Sequence, residues 1–169
     1  RIFASGDLDE YRISELLAEG APIDFFGVGT KMATSSDAPY VDVVYKLSEI
    51  VSGGRSMPIM KLSEGKHTLP GRKQVFRSMK NGVYSGDTVG LERERLGGVP
   101  LLAAAMKNGR LVQRLPSLEQ TRAHVADELS KLPESCKRIG GACTYKIRVS
   151  ARLERLGKNL AKRLVRRVA

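Results

Sequence analysis

The stretch that decides the fold is the first thirty residues, RIFASGDLDEYRISELLAEGAPIDFFGVGT (1–30). The apolar runs Ile2–Ala4 and Ile23–Phe26 have the length of short strands, and the segment between them carries apolar residues at helical spacing. Gly20 suits a helix C-terminus, and Pro22 prevents the helix from continuing. Two parallel strands joined by a helix are the unit of α/β barrels and open α/β sheets. The pattern therefore predicts an α/β fold with a small loop after each strand.

The pattern changes to strands and hairpin turns after about residue 40. Strand-like segments at 41–50 and 56–62 flank a Gly-Gly turn, and segments at 74–79 and 83–89 flank Asn81-Gly82. Another turn is predicted at 107–110, after the apolar run 101–106. We therefore divide the chain into barrel-like units at 1–45, a β-hairpin-rich portion at 46–110 and a C-terminal helical segment at 111–169.

The C-terminal segment has signals for two helices. Ser117 is a suitable N-cap for a helix that runs to about Lys131, with Pro133 just beyond it. After an extended segment, Tyr145–Val149, an apolar stripe at three- and four-residue steps predicts a terminal helix. The stripe consists of Val149, Leu153, Leu156, Leu160, Leu164 and Val168.

Composition limits the class of protein. The 169 residues carry 29 Lys and Arg against 18 Asp and Glu, a formal net charge of +11. No run of apolar residues is long enough to cross a membrane and no signal peptide is recognisable, so we expect a soluble, cytoplasmic protein with no membrane partner. Cys136, Cys143 and two histidines supply neither a disulfide framework nor a complete zinc site, so no protein-held metal is expected.

The chain starts without Met in a strand-like segment, and we expect a fragment or a separately encoded half.

The basic residues are concentrated in the second half of the chain. Residues 1–40 carry three basic and seven acidic residues, whereas 91–169 carry eighteen and seven. Within 151–169, seven cations accompany Glu154 alone, which suits either a solvated helix face or a nucleic-acid contact from 137–169. Aromatic residues are 5% of the chain and none alternates with these cations, so a nucleic-acid partner is the less favoured alternative.

Three loops carry candidate chemistry. Gly27, Gly29 and Thr30 either cradle a phosphate, with Ser35 and Ser36 as further hydroxyl donors, or form a plain tight turn. Asp7 lies at a strand end where carboxylates bind sugar hydroxyls or metal, but it equally suits the N-cap of the following helix. The cationic loop 61–77 suits a polyphosphate or is simply solvated. We find no catalytic Ser/His/Asp or Cys/His arrangement.

The motifs taken together resemble the C-terminal half of the nicotinate phosphoribosyltransferases. The resemblance is most specific over residues 1–90 and looser over 91–169. It rests on ASGDLDEYRI (4–13), PID (22–24), FGVGT (26–30), TSSDAP (34–39), YKL (45–47), KLSEGK (61–66) and LPGRKQV (69–75), and more loosely on 116–132 and 145–156.

The resemblance implies an enzyme of NAD salvage. Such an enzyme makes nicotinate mononucleotide and pyrophosphate from nicotinate and phosphoribosyl pyrophosphate, with ATP hydrolysis and Mg²⁺. The implied fold is part of an irregular type II phosphoribosyltransferase α/β barrel, a β-rich portion of a second domain, and C-terminal helices. Such enzymes usually form homodimers.

The resemblance also assigns roles to individual residues. Gly6 and Asp7 would face the ribose hydroxyls, and Gly27, Gly29 and Thr30 would hold the 5′-phosphate. Independently of the resemblance, the charge of the 61–77 loop makes Lys61, Lys66, Arg72 and Lys73 candidates for pyrophosphate or ATP binding. Neither His67 nor His124 matches the histidine that ATP phosphorylates in the family, which is expected in an N-terminal half or companion chain. The catalytic residue therefore stays unassigned, and this chain alone is expected to be inactive. A non-catalytic subunit of the same fold is the other alternative.

Overall fold

The computed structural model describes residues 1–34, 39–40, 44–63 and 67–168, with the side chains of the last helix described to residue 164. The chain forms two compact units, Arg1–Tyr45 and Lys46–Ala169. Each unit is presented by itself below. Among the described residues, no helix combines the length and the apolar character that crossing a bilayer requires.

The first unit is the predicted βαβ arrangement. It contains β1 (Phe3–Ser5), α1 (Glu10–Ala18), β2 (Phe25–Gly27) and the short helix α2 (Thr30–Thr34). The two strands are parallel and in register, with Phe3 opposite Phe25 and Ser5 opposite Gly27. Each strand ends one residue later than the sequence pattern predicted, which moves Ser5 and Gly27 into the strands.

The caps of α1 decide between the two interpretations of Asp7. The N-cap is Asp9, whose side chain accepts a hydrogen bond from the Arg12 amide at 2.8 Å, so the N-cap alternative for Asp7 is wrong. The C-terminal end follows the prediction for Gly20, which lies one residue beyond the C-cap with φ +75°. The amides of Gly20 and Ala21 donate to the carbonyls of Leu17 and Leu16, a Schellman arrangement that satisfies the last turn.

The second unit is built on a mixed four-stranded sheet. Its strands are β5 (Lys73–Lys80), β6 (Val83–Leu91), β7 (Val99–Pro100) and β10 (Ile147–Val149). The order is β10-β6-β5-β7, with β10 parallel to β6 and the other pairs antiparallel. The turn between β5 and β6 is Asn81-Gly82, with φ +52° and +77°, and it confirms the hairpin that the Asn-Gly pair predicted.

Two separate hairpins complete the β structure of this unit. One pairs β3 (Glu49–Ser52) with β4 (Arg55–Pro58), and the other pairs β8 (Met106–Lys107) with β9 (Arg110–Leu111). The β3–β4 strands are shorter than predicted, because 44–48 and 59–62 have no strand pairing. The predicted strand residues 41–43 lie outside the described residues.

The two helices of this unit begin at serine caps. Ser117 precedes α3 (Leu118–Ser130) and forms a reciprocal capping box with Gln120, as the sequence predicted for this N-terminus. Ser150 accepts from the Leu153 amide at 3.1 Å and precedes α4 (Ala151–Val168). Leu153 is completely buried, so the apolar stripe of α4 does face the protein. Val149 was wrongly assigned to that stripe and belongs to β10.

The structure contains one disulfide bond that the sequence analysis did not predict. Cys136, at the end of a 3-10 helix (Glu134–Cys136), forms a disulfide with Cys143. The sequence had excluded a disulfide framework without anticipating this single local bridge.

A charged network joins the sheet to α3 and to the segment before β10. The Arg77 guanidinium donates to both carboxylate oxygens of Asp87 at 3.0 Å and lies 4.6 Å from the centre of the Tyr84 ring. Tyr84 donates to Glu128 of α3 at 2.6 Å, and Tyr145 donates to Asp87 at 2.8 Å. The hydrogen bonds between Arg77 and Asp87 lower the pKa of the Asp87 carboxyl and raise the pKa of the Arg77 guanidinium. One arginine therefore holds three segments that are distant in sequence.

We expect Leu153→Ala to destabilise the second unit by about 2–5 kcal/mol, because it removes a completely buried side chain and leaves a cavity. Leu118→Ala is the matched control, since Leu118 is 81% exposed, and it should change the free energy of unfolding by less than about 0.5 kcal/mol. Urea unfolding of both variants provides the measurement. Equal losses would contradict the packing of α4.

The Arg77–Asp87 pair also predicts how stability depends on pH. Because the folded state lowers the pKa of Asp87 below 3.8, its contribution is fully present above that value and is lost as pH falls through the folded pKa. Asp87→Asn should therefore be less stable than the unaltered chain at pH 7, and the difference should shrink on acidification. Urea midpoints measured between pH 7 and pH 2.5 test this, and a pH-independent difference would contradict it.

Candidate functional site

The loops that follow β1 and β2 line one cavity. Because the strands are parallel and in register, their carboxyl ends lie side by side, and the chain leaves both at the same edge. The cavity between the loops has a volume of about 400 Å³. It is lined by Ser5, Gly6, Asp7, Leu8, Gly27, Val28, Gly29, Thr30 and Lys31. All five residues assigned to phosphoribosyl binding are thus gathered at one place, and their ligand role stays a prediction.

Gly6, Gly27 and Gly29 of the cavity differ in backbone conformation and in the space around them. Gly6 has φ +110°, a conformation that side-chain-bearing residues rarely adopt, although a Cβ there would meet nothing within 4 Å. A Cβ on Gly27 would come within 2.8 Å of the Phe3 ring and 3.2 Å of the Ser5 Cβ. Gly29 has open space around it. Gly6 therefore sets the loop conformation, Gly27 makes room for the Phe3 and Ser5 side chains of β1, and Gly29 leaves room beside its backbone.

Asp7 is available for a ligand. Its φ is +50°, in the left-handed region that aspartate tolerates better than most residues, and its side chain is exposed. With α1 capped by Asp9, the Asp7 carboxylate has no hydrogen-bond or ion-pair partner among the described residues. An unengaged carboxylate at a strand's carboxyl end is suited to accept hydrogen bonds from sugar hydroxyls.

Sequence reasoning missed Lys31. Its Nζ donates to Asp9 Oδ2 at 2.7 Å, which joins the loop after β2 to the loop after β1. This hydrogen bond is the largest cause that lowers the pKa of Asp9 and raises the pKa of Lys31. The only signal in the sequence was a lysine next to the Gly-Thr loop, and its partner twenty-two residues earlier becomes evident only from the strand pairing.

The candidate pyrophosphate or ATP residues belong to the second unit. Lys66 lies outside the described residues, as do Ser35 and Ser36. Lys73 donates to the carbonyls of Leu69 and Gly71 at 2.8 and 2.6 Å, and burial lowers its pKa. Two of its three N–H donors therefore hold the turn of its own loop.

Arg72 and Lys61 are more accessible. The Arg72 guanidinium lies 3.6 Å from Glu49 and 3.8 Å from Glu92, and its side chain is 67% exposed. Both distances are longer than ordinary charge-assisted hydrogen bonds. Lys61 is exposed, and its backbone pairs with Thr68. Arg72 and Lys61 thus stay open to an anion, and their role remains a prediction.

The donor set suits a metal that arrives with its substrate. Among the described residues, no group of three or more His, Cys, Asp or Glu side chains is arranged to hold an ion. The cavity offers the Asp7 carboxylate and the Ser5 and Thr30 hydroxyls. Mg²⁺ is commonly bound through one or two carboxylates together with substrate phosphates, so these residues fit a magnesium pyrophosphate group.

The described residues form a mixed α/β structure with a cavity at the carboxyl ends of two parallel strands, the position at which α/β proteins commonly bind ligands. A family model described as the nicotinate phosphoribosyltransferase C-terminal domain matches residues 96–157. Nicotinate phosphoribosyltransferase pncB2 of Mycobacterium tuberculosis is 44% identical over 90% of this chain, and human nicotinate phosphoribosyltransferase is 30% identical over 94%. The crystal structure of human nicotinic acid phosphoribosyltransferase superimposes on 95% of the chain with a TM-score of 0.68 and 27% identity.

These matches show that the chain is homologous to the nicotinate phosphoribosyltransferases over nearly its whole length, and it corresponds to their C-terminal portion. It spans about one third of the length of these relatives: 32% of the mycobacterial protein, 34% of the human protein and 33% of the solved chain.

Gly6→Ala should destabilise the first unit by about 1–3 kcal/mol, because alanine at φ +110° is strained even where its Cβ has room. Gly29→Ala is the matched control: it adds the same methyl group to the same cavity without a positive φ, and it should leave stability nearly unchanged. Hydrogen exchange at the amides of α1 reports the unit's stability. Equal protection in both variants would contradict the backbone role of Gly6.

Proposed function

We propose that the chain is the C-terminal, phosphoribosyl-binding portion of a nicotinate phosphoribosyltransferase. The complete enzyme would form nicotinate mononucleotide and pyrophosphate from nicotinate and phosphoribosyl pyrophosphate with ATP hydrolysis, a step of NAD biosynthesis. The observation that carries the proposal is the shared cavity at the carboxyl ends of β1 and β2, with a free carboxylate on one loop and an open glycine loop on the other. The similarity to nicotinate phosphoribosyltransferases supports it.

The two loops suit the two ends of a phosphoribosyl group. Asp7 would accept hydrogen bonds from the ribose hydroxyls, next to the Gly6 backbone. Gly27 and Gly29 would let backbone amides approach the 5′-phosphate, with the Thr30 hydroxyl as a further donor. Binding at both ends fixes the ribose between the loops, so the anomeric carbon is presented in one orientation to an incoming pyridine nitrogen.

The reaction breaks the bond between the anomeric carbon and pyrophosphate and forms a bond to the nicotinate nitrogen. Positive charge develops on the ribose ring, and negative charge develops on the departing pyrophosphate. The Asp7 carboxylate is suited to stabilise the ring through the hydroxyls. Bound Mg²⁺ would neutralise pyrophosphate oxygens as the bond breaks. Arg72 and Lys61 of the second unit stay separate candidates for binding pyrophosphate or ATP.

The remaining parts of the proposal concern the whole enzyme. Phe3 and Phe25 lie opposite each other on one face of the strand pair and are exposed, which fits a face that packs against further residues, as a barrel interior or its outer helices would supply. We assign the phosphorylated histidine and most nicotinate contacts to an N-terminal half or companion chain, with homodimer assembly and a cytoplasmic location. The 169 residues alone would then bind the phosphoribosyl group without turnover.

Asp7→Asn should reduce nicotinate mononucleotide formation by about 100-fold or more, because it removes the negative charge next to the developing ring cation. Asparagine tolerates the left-handed φ of +50°, so the backbone is retained. The assay follows product formation by the full-length protein, with direct titration of phosphoribosyl pyrophosphate binding.

Glu19→Gln is the matched control for this experiment. It removes one carboxylate charge from the same unit at the far end of α1, and activity should stay within about twofold of the unaltered protein. If Asp7→Asn and Glu19→Gln behave alike, Asp7 has no role in the site. Binding of phosphoribosyl pyrophosphate without turnover in the full-length protein would favour a non-catalytic subunit instead.

A further inference from the structure

The Lys31–Asp9 contact joins the two loops of the cavity at a position where the described residues form no other polar contact between them. The ladder between β1 and β2 ends at Ser5 and Gly27. Beyond that point, within the described residues, the 2.7 Å hydrogen bond from Lys31 to Asp9 is the one polar contact between the loops. The bond spans twenty-two residues of sequence and is partly buried.

Asp9 uses its two carboxylate oxygens for two different elements. Oδ1 accepts from the Arg12 amide and begins α1, and Oδ2 accepts from Lys31 at the start of α2. The first bond fixes Asp9 to the helix that follows β1. The second therefore fixes the position of the loop after β2 relative to that helix.

The energetics of this contact favour a geometric role. The side chains of Lys31 and Asp9 are 37% and 21% exposed, and pairs this accessible to water contribute little to stability. The distance between two loops that hold opposite ends of one ligand, however, affects catalysis strongly, since small misplacements cost orders of magnitude in rate. Removing such a pair should affect substrate use much more than folding.

We propose that Lys31 and Asp9 are a positioning pair that sets the separation between the Asp7 loop and the Gly27–Thr30 loop for phosphoribosyl pyrophosphate. The inference rests on the proposed function and adds two residues to it. Neither residue is required to touch the substrate. Lys31 acts through Asp9, and Asp9 acts through the two loops it connects.

A double-mutant cycle in the full-length protein tests the pair. Lys31→Met removes the ammonium group and keeps the length of the side chain. Asp9→Asn removes the charge but keeps an oxygen that accepts from the Arg12 amide, so α1 retains its cap. Each single variant should lower kcat/KM for phosphoribosyl pyrophosphate about tenfold, with the KM for nicotinate unchanged, and the double variant should lose no more than either single one.

Two further variants separate positioning from general charge or structure. Lys31→Arg keeps a cation that reaches Asp9, and it should retain kcat/KM within about twofold. Arg12→Met removes an exposed cation of the same unit, paired with Glu15 at 2.9 Å, and should have no effect on kcat/KM. Urea midpoints of all variants should agree with that of the unaltered protein.

The outcomes distinguish the pair from the proposed function. Multiplicative losses in the double variant, unchanged kinetics in the singles, or losses that follow a drop in the urea midpoint each overturn the positioning role while Asp7→Asn still reduces activity. An unaltered full-length protein that neither binds phosphoribosyl pyrophosphate nor forms product overturns both proposals. An Asp7→Asn variant with full activity overturns the assigned site.

Discussion

The candidate site depends on one constraint, the parallel and in-register pairing of β1 with β2. Ser5 lies opposite Gly27, so the segments that follow β1 and β2 leave the sheet at the spacing of neighbouring strands, about 4.8 Å. That spacing brings Asp7 and Gly29 to one cavity although they are far apart in sequence. The pairing itself is short, three residues in each strand, and a two-stranded sheet is marginal by itself. The rings of Phe3 and Phe25, opposite each other on one face of this sheet, are exposed.

Features with a local cause were predictable from the sequence, and features set by register were not. Asn81-Gly82 specifies its hairpin through the positive φ of both residues, and Ser117 with Gln120 specifies a capping box. The sequence left the role of Asp7 open between ligand carboxylate and N-cap of α1, because Asp7 and Asp9 both precede the helix. Their backbone conformations distinguish them, left-handed in Asp7 and extended in Asp9. Predicting the Lys31–Asp9 contact requires the register of β1 and β2, that is, which of their residues lie opposite each other. No local sequence pattern gives this register.

Net charge proved a poor guide to the site. The strongest basic excess lies in residues 91–169, whereas the phosphoribosyl candidates lie in the acidic first unit. Part of the charge in the second unit is engaged in structure: Arg77 holds Asp87 and reaches Glu128, and Lys73 holds two carbonyls of its own turn. A cation bound in this way keeps its charge but has fewer donors for a ligand. Lysines and arginines in a loop must therefore be assessed by their engaged donors rather than counted.

Stability and the geometry of the candidate site are supported by different parts of the chain. In the second unit, the buried Leu153 and the Arg77 network join elements that are distant in sequence, which is the arrangement that cooperative folding requires. In the first unit, the polar contacts are exposed or partly buried and contribute little energy, but they fix angles and spacings around the cavity. Selection on the first unit should thus act on conformation, through Gly6, Asp7 and Asp9. A strained loop with few stabilising contacts is compatible with the proposed function, because a ligand bound by both loops would stabilise their conformation.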